Sequence, residues 1–264
     1  NQVQESLDFL SGNNTISGTN KGRPTIGELA NIKWSINGNQ QGRVGVCGAA
    51  SGMLISVIDN HSLESWETRW IDNSVTPSVE RNPDKNFGNQ NDPSVGGCPQ
   101  RDRKFHFLVF NPAQMDSMVS MITNSIPDSF YVLAMSLYGN FQDTTIWKDR
   151  HYSAFELLGA DSIRKIPSDY PYILFAQKGN PDFAKEVLAV TGNELLSISE
   201  VVSGKIATGS MTSTSIGPVK TWRDFHWNVA RTSQYDSFKV ILQGIDSNGI
   251  KNPIISLNES QKHL

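Results

Sequence analysis

Apolar positions in the middle of the chain change from helical spacing to a continuous run. Apolar side chains first recur at three- and four-residue intervals, as on one face of a helix, at Met115, Met118, Val119 and Ile122. Residues 130–137 then form a short apolar run that is typical of a buried strand. The pattern therefore predicts a helix followed by a buried strand.

Capping residues indicate where two helices begin and end. Asn111 can cap the first helix, Pro112 suits its first position, and Gln114 can return the capping hydrogen bond. Asp143 is predicted to cap a second helix. Gly159 is placed to end that helix in the left-handed conformation.

Shorter alternating segments precede this region. They predict a strand at residues 31–37 on the edge of a sheet, a stronger strand at 53–59 and a half-buried partner strand at 66–70. The polar stretch 71–103 has no periodic pattern, and a loop of this length is usually functional or partly disordered.

The sequence pattern changes after about residue 190. Short strands separated by Gly and Ser follow, without any helical period. We predict a first unit over residues 1–190 and an all-β extension over 191–264, whose missing strands come from the N-terminal segment or from a partner. The predicted fold class is mainly β with a few helices (α+β).

Composition and charge narrow the range of partners. The chain has 264 residues and a formal net charge of −3, and it has no run of Lys and Arg. This gives no electrostatic reason to expect nucleic acid or an anionic membrane. No apolar run approaches the roughly 20 residues that span a bilayer. Because the chain starts at Asn1 without an initiator Met or a signal sequence, we expect a processed piece of a longer exported polypeptide.

Five short segments in a fixed order carry a resemblance to a known family. They are Phe110 before the first helix, Ile126-Pro127, Tyr131-Val132-Leu133, Leu158-Gly159 and Tyr172 to Lys178-Gly179. Over roughly residues 43–190 the chain resembles the interleukin-like EMT inducer (ILEI) domain, also called the GG domain. The resemblance implies a secreted or surface-exposed β-sandwich module that binds sugars or partner proteins and does not catalyse a reaction.

The C-terminal part has a second resemblance. The segment Ser215 to Trp222, then His226-Trp227 and a strand ending at Gly244, is similar to segments that follow ILEI-like modules in large surface proteins of Bacteroidetes. Those proteins include relatives of gingipain-like cysteine peptidases that are exported through type IX secretion. This resemblance implies an extracellular or cell-surface location.

Two cysteines, Cys47 and Cys98, lie in turn-rich surroundings. Because an exported chain meets an oxidising compartment, a disulfide between them is the leading interpretation, and two free thiols are the alternative. A zinc site would need histidines, and none of the five has ligand spacing around either cysteine. We predict neither a metal nor a cofactor.

Catalytic motifs are not recognisable in the sequence. The Cys and His signatures of gingipain-like peptidases are absent, and the Gly-rich segment 203–210 lacks the order of a phosphate-binding loop. Ser51 does not have the spacing of a nucleophile elbow. Glycoside hydrolysis needs two carboxylates on either side of the glycosidic bond, and the sequence does not show which two acidic residues could lie in this way. The chain is therefore predicted not to be an enzyme.

Sugar sites combine an aromatic face with planar polar groups. The candidate ligand-binding residues with this composition, together with the turn lysine, are Tyr138, Asn140, Asp143, Trp147, Asp149, Arg150 and Lys178. The alternative places Trp147 and Phe155 in the core, Asp149 and Arg150 in solvent, and Lys178 in a simple turn.

Together these observations predict a non-catalytic recognition or scaffolding module of a larger exported bacterial protein, with glycan as a candidate ligand. The alternative is a structural domain that packs on a secretion-system component or a neighbouring peptidase domain and binds no small ligand.

Overall fold

The computed structural model describes residues 12–22, 24–43, 50–88, 103–138, 140–204 and 239–258, and the single positions 217, 221 and 225. The chain divides into two compact units, residues 1–209 and 210–264. Strands predominate, which confirms the predicted fold class, mainly β with a few helices. Cys47 and Cys98 lie outside the described residues.

The strands within the described residues are β1 (Gly12–Lys21), β2 (Lys33–Ile36), β3 (Asn39–Arg43), β4 (Gly52–Ile58), β5 (Trp70–Asp72), β6 (Val79–Arg81), β7 (Phe105–Leu108), β8 (Tyr131–Leu137), β9 (Tyr172–Gln177), β10 (Asn180–Leu188), β11 (Leu195–Gly204), β12 (Lys239–Ile245) and β13 (Lys251–Asn258). The α-helices are α1 (Pro112–Ser120) and α2 (Asp149–Glu156). A π-helical turn, Met121–Ser125, continues α1, and short 3₁₀ helices lie at Ile26–Asn31, Pro83–Lys85 and Ile163–Lys165.

The first unit has three layers. A five-stranded antiparallel sheet in the order β10, β9, β8, β4, β7 has α1 and α2 on one face and a four-stranded sheet, β11, β1, β2, β3, on the other. Along β4, Met53, Ile55 and Val57 join the helix-side core. Leu54 and Ile58 join the core between the sheets. Because both faces are covered, β4 and β8 read as continuous apolar runs in the sequence.

Helix α1 begins as predicted. The side chain of Asn111 accepts a hydrogen bond from the backbone N–H of Gln114 at 3.2 Å, and Pro112 occupies the first turn. The Gln114 side chain, however, accepts from the backbone N–H of Leu108 at 2.8 Å and thereby holds the end of β7.

Helix α2 begins later than predicted. Lys148 precedes its first residue, whereas Asp143 forms a separate turn in which its Oδ1 accepts the backbone N–H of Thr145 at 2.9 Å. The prediction that Asp143 caps this helix was therefore wrong, because the carboxylate satisfies its own local turn.

The end of α2 is as predicted. Gly159 has φ +93°, and the N–H of Ala160 reaches back to the carbonyl of Phe155 at 3.1 Å. A Cβ at Gly159 would lie 2.2 Å from the carbonyl oxygen of Pro181 in β10, so a side chain has no room there.

The predicted strand at 66–70 is not present as such. The N–H of Trp66 donates to the carbonyl of Val57 at 2.8 Å, and only Trp70 belongs to a strand, β5, which pairs with β6. β8 pairs with Gly52–Ile58 on one edge of β4 and β7 pairs with Gly52–Ile55 on the other, so this segment meets only the end of β4, through a single bridge between Ile58 and Ser65. Residues 71–88 of the polar stretch contain this ordered hairpin, while 89–102 lie outside the described residues.

The division between the units falls later than the predicted boundary near residue 191. Strand β11 pairs with β1 over its whole length, from Gly12 opposite Gly204 to Lys21 opposite Leu195. β11 therefore completes the first unit by pairing with the N-terminal segment. β2 pairs with both β1 and β3, so it is an inner strand and not the predicted edge.

One buried amide joins the two sheets of the first unit. Asn20 on β1 is 0% exposed, and its Nδ2 donates to the carbonyls of Ser136 on β8 and Tyr172 on β9, each at 2.9 Å. The amide therefore links β1 of one sheet to β8 and β9 of the other through two buried hydrogen bonds.

In the second unit the structure describes an antiparallel hairpin of β12 and β13. Asp246 forms its turn and accepts the backbone N–H groups of Asn248 at 2.8 Å and Ile250 at 2.9 Å. The strand predicted near Phe238 is confirmed as β12, while most of the 221–227 segment lies outside the described residues.

Candidate functional site

Three polar side chains from two loops meet beyond the end of β8. Asn140 accepts a hydrogen bond from the hydroxyl of Ser168 at 2.6 Å, and its Nδ2 lies 3.4 Å from Oδ2 of Asp143. We call Asn140, Asp143 and Ser168 the polar loop cluster. Asn140 and Asp143 are half-buried and Ser168 is exposed, so the cluster lies at the surface.

The backbone of both loops is held in place. The side chain of Gln142 donates to the carbonyls of Arg164 at 3.1 Å and Ile166 at 2.8 Å, which ties the first loop to the segment before Ser168. The hydroxyl and the backbone N–H of Thr145 lower the pKa of Asp143, in that order of importance. Asp143 is therefore a carboxylate at neutral pH.

Tyr138 positions the start of this loop. Its φ is +48°, its N–H donates to the carbonyl of Gly22 at 3.3 Å, and its hydroxyl donates to the carbonyl of Pro24. Its own carbonyl accepts the hydroxyl of Ser51. The phenol group is thus used inside the fold, and Tyr138 positions the loop more than it offers a free aromatic face.

Trp147 belongs to the core. Its side chain is 1% exposed, and its ring packs against Phe141 and Tyr152 with centroids 5.0 and 5.4 Å apart. A buried indole cannot stack on a sugar at the surface, so the structure removes Trp147 from the candidate binding residues. Phe155 is also buried, as the alternative interpretation expected.

Asp149 and Arg150 are exposed and engaged in ion pairs. Asp149 binds Arg164 at 2.8 Å, and Arg150 binds Asp116 on α1 at 2.6 Å. Arg164 also binds Glu156 and lies over the ring of Tyr152, 4.7 Å from its centroid. These contacts cover the outer side of α2 and link it to α1.

Lys178 is remote from the polar loop cluster. Strands β8 and β9 are antiparallel, with Tyr131 opposite Gln177, so the turn after β9 lies at the end of β8 opposite to Tyr138. The Nζ of Lys178 donates to the carbonyl of Ile122 at 2.6 Å in the π-helical turn. A cation at this position satisfies carbonyl groups at a helix end, so the structure assigns Lys178 a stabilising role.

Two functional groups were missed by the sequence analysis. Glu186 on β10 accepts the hydroxyl of Tyr172 at 2.6 Å and the backbone N–H groups of Asp161 and Ser162, each at 3.0 Å, and no local motif signals this because the partners are 14 to 25 residues away. Burial and this carboxylate, in that order, raise the pKa of Tyr172. His151, the third residue of α2, was missed because the start of the helix was misplaced.

Within the described residues no group of three or more His, Cys, Asp or Glu side chains is arranged to hold a metal ion. None of the helices in that part of the chain is long and apolar enough to cross a membrane. Comparison with protein-family models and with curated proteins finds no match for the chain.

Proposed function

We propose that this chain is a non-catalytic recognition module of a larger exported bacterial protein and that the polar loop cluster is its ligand site. The observation that carries the proposal is the Ser168–Asn140 hydrogen bond, which brings a hydroxyl from one loop to the planar amide and the carboxylate of another at the surface. Groups of this kind, fixed on a rigid scaffold, select ligands through hydrogen bonds.

A glycan is the ligand that best fits this chemistry. Amide and carboxylate groups take the paired hydroxyls of a sugar. Tyr170, two residues from Ser168, is half-buried in the same turn and packs in part on the helix-side core. The resemblance of the chain to the ILEI family supports the same assignment. His106 and His151 each bind a backbone group, which fits a structural use of these imidazoles and not general acid–base catalysis.

A glycan array tests the proposal. The full chain should bind a restricted set of glycans, and an Asn140→Ala, Ser168→Ala double variant should lose about tenfold in affinity, since two direct hydrogen bonds disappear. Arg150→Ala is the matched control, because Arg150 is exposed but bound to Asp116 on α1. Absence of selective binding, or equal binding by the double variant, would contradict the glycan proposal.

A scaffolding role is the second candidate, and exposed apolar side chains favour it. Large apolar side chains are exposed along edge strands β10 and β11 and the segment between them, at Leu188, Val190, Leu195 and Val201; Val190 is 82% exposed. A Val190→Lys, Val201→Lys variant should then weaken binding to the remainder of the parent polypeptide in analytical ultracentrifugation. Unchanged binding by this variant would argue against these strands as the contact surface.

A further inference from the structure

His151 occupies a position in α2 that normally belongs to Glu or Gln. It is the third residue of the helix, and its Nδ1 lies 3.1 Å from the backbone nitrogen of Lys148, which precedes the helix. In a capping box, a Glu or Gln side chain at this position accepts that same N–H. An imidazole can do so only when it is neutral and carries its proton on Nε2.

The surroundings of the ring favour this neutral form. His151 is 2% exposed, and its Nε2 faces Oδ1 of Asp116 on α1 at 3.6 Å, beyond hydrogen-bond range. Arg150 on α2 and the carbonyl of Ile146 in the preceding loop are the other polar groups beside it. Burial lowers the pKa of His151 most, the positive charge of Arg150 lowers it further, and Asp116 opposes both.

Protonation would reverse the capping contact. A second proton on the ring must be carried by Nδ1, where it would point at the N–H of Lys148, so that two donors would face each other. The imidazolium would also be buried, with the Asp116 carboxylate, 3.6 Å from Nε2, and the carbonyl of Ile146 as the acceptors beside it. The ring would have to turn toward Asp116, and the N–H of Lys148 would lose its partner.

We propose that His151 is an acid-sensitive latch, which holds the first turn of α2 through the N–H of Lys148 while neutral and releases that N–H when protonated. The latch stands independently of any ligand.

The direction of the pH effect follows from the lowered pKa. The unfolded chain binds a proton to His151 near its ordinary pKa of 6.5, and the folded chain does so only at lower pH. The contribution of the latch is therefore complete above pH 6.5 and is lost as the pH falls toward the folded-state pKa. The lowered pKa of Asp116 keeps that carboxylate charged over the same range.

Amide hydrogen exchange of the full chain, followed by NMR, tests the latch without a ligand. Between about pH 7.5 and about pH 5, after correction for intrinsic exchange, protection of the Lys148 amide should fall about fivefold in the native sequence. His151→Gln keeps an acceptor at the capping position and cannot ionise, so its protection should not change with pH. His61→Gln, at an exposed histidine, should behave like the native protein.

Constant protection of the native protein across the pH range in which NMR shows the His151 imidazole to titrate would overturn the latch, as would an equal loss in His151→Gln. His151→Ala should show low protection at both pH values, and high protection would also count against the proposal. Since exchange is read in the absence of ligand, a failed glycan array leaves this result intact, and a failed latch leaves the array result intact.

Discussion

The two helices of the first unit pack on the same face of the central sheet but begin in chemically different ways. Asn111 caps α1 with a side-chain amide, whose hydrogen bonding does not change with pH. At the start of α2, His151 accepts the backbone N–H of Lys148 with an imidazole, whose hydrogen bonding does. Both contacts satisfy groups that a helix end leaves unpaired, but only the second depends on protonation. Two helices of one unit can therefore both be capped at their first turn and still differ in how their stability responds to acid.

Substitution of Trp147 should cause the largest loss of stability, since its buried ring anchors the start of α2. Trp147→Ala should lower the free energy of unfolding by about 3–5 kcal/mol, because it opens a cavity among Phe141, Tyr152 and Phe155. Urea denaturation measures the loss. Trp147→Phe fills most of the space and removes an indole N–H for which the described part of the chain supplies no acceptor, so it should cost much less. A loss for alanine as small as that for phenylalanine would contradict the assignment of Trp147 to the core.

Lys178 tests the other end of α1. Lys178→Met keeps most of the aliphatic stem but removes the ammonium group that binds the carbonyls of the π-helical turn, and should cost about 1.5 kcal/mol in the free energy of unfolding. Lys185→Met, at an exposed position of β10, is the matched control. Equal urea midpoints for the two variants would mean that the Lys178 contact contributes nothing measurable.

Substitution of Asn111 tests whether the contribution of the α1 cap to stability is independent of pH. Asn111→Ala should lower the free energy of unfolding by about 1 kcal/mol. The loss should be the same at about pH 7.5 and about pH 5, because no group in this cap ionises. Thermal unfolding at both pH values checks this, with Asn111→Asp as a variant that keeps an acceptor. A cost that differs clearly between the two pH values would remove the contrast with α2.

Substitution of Arg150 should give the smallest change in stability, but it should change the pKa of His151. Its pair with Asp116 is exposed, so Arg150→Ala should leave the melting temperature unchanged within error. Removing the positive charge should nevertheless raise the pKa of His151, because Asp116 then faces the ring without compensation. NMR titration of the imidazole measures this. A pKa that stays constant or falls would show that Arg150 does not act on the ring.

The buried strands and α1 could be predicted from sequence because each satisfies a local rule. The run at 130–137 became β8, and Asn111 with Pro112 marked the start of α1. The strand at 66–70 failed for a non-local reason: β8 and β7, the latter about 50 residues downstream, pair with most of β4 and leave this segment a single bridge, Ile58 with Ser65. Sequence patterns do not show which strands compete for an edge.

The candidate site was predictable only in part. Asn140 and Asp143 are close in sequence and lie together, but Ser168 is 28 residues from Asn140 and joins them through the fold. Trp147 and Lys178 have residue types that suit a sugar site, and yet burial and a helix end use them for stability. The residue types of Trp147 and Lys178 suggested ligand binding, but the neighbours of each side chain in the fold show that it stabilises the structure.

The pairing of β1 with β11 has a consequence for the order in which the chain is made. β1 is synthesised first in the unit and β11 last, and the two are joined along ten register pairs from Gly12–Gly204 to Lys21–Leu195. Until β11 leaves the ribosome, β2 is the only one of the described strands that can pair with β1 in this sheet. Closure of the sheet must therefore await nearly the whole unit, which makes it a slow, long-range step and leaves one edge of β1 without its final partner during synthesis.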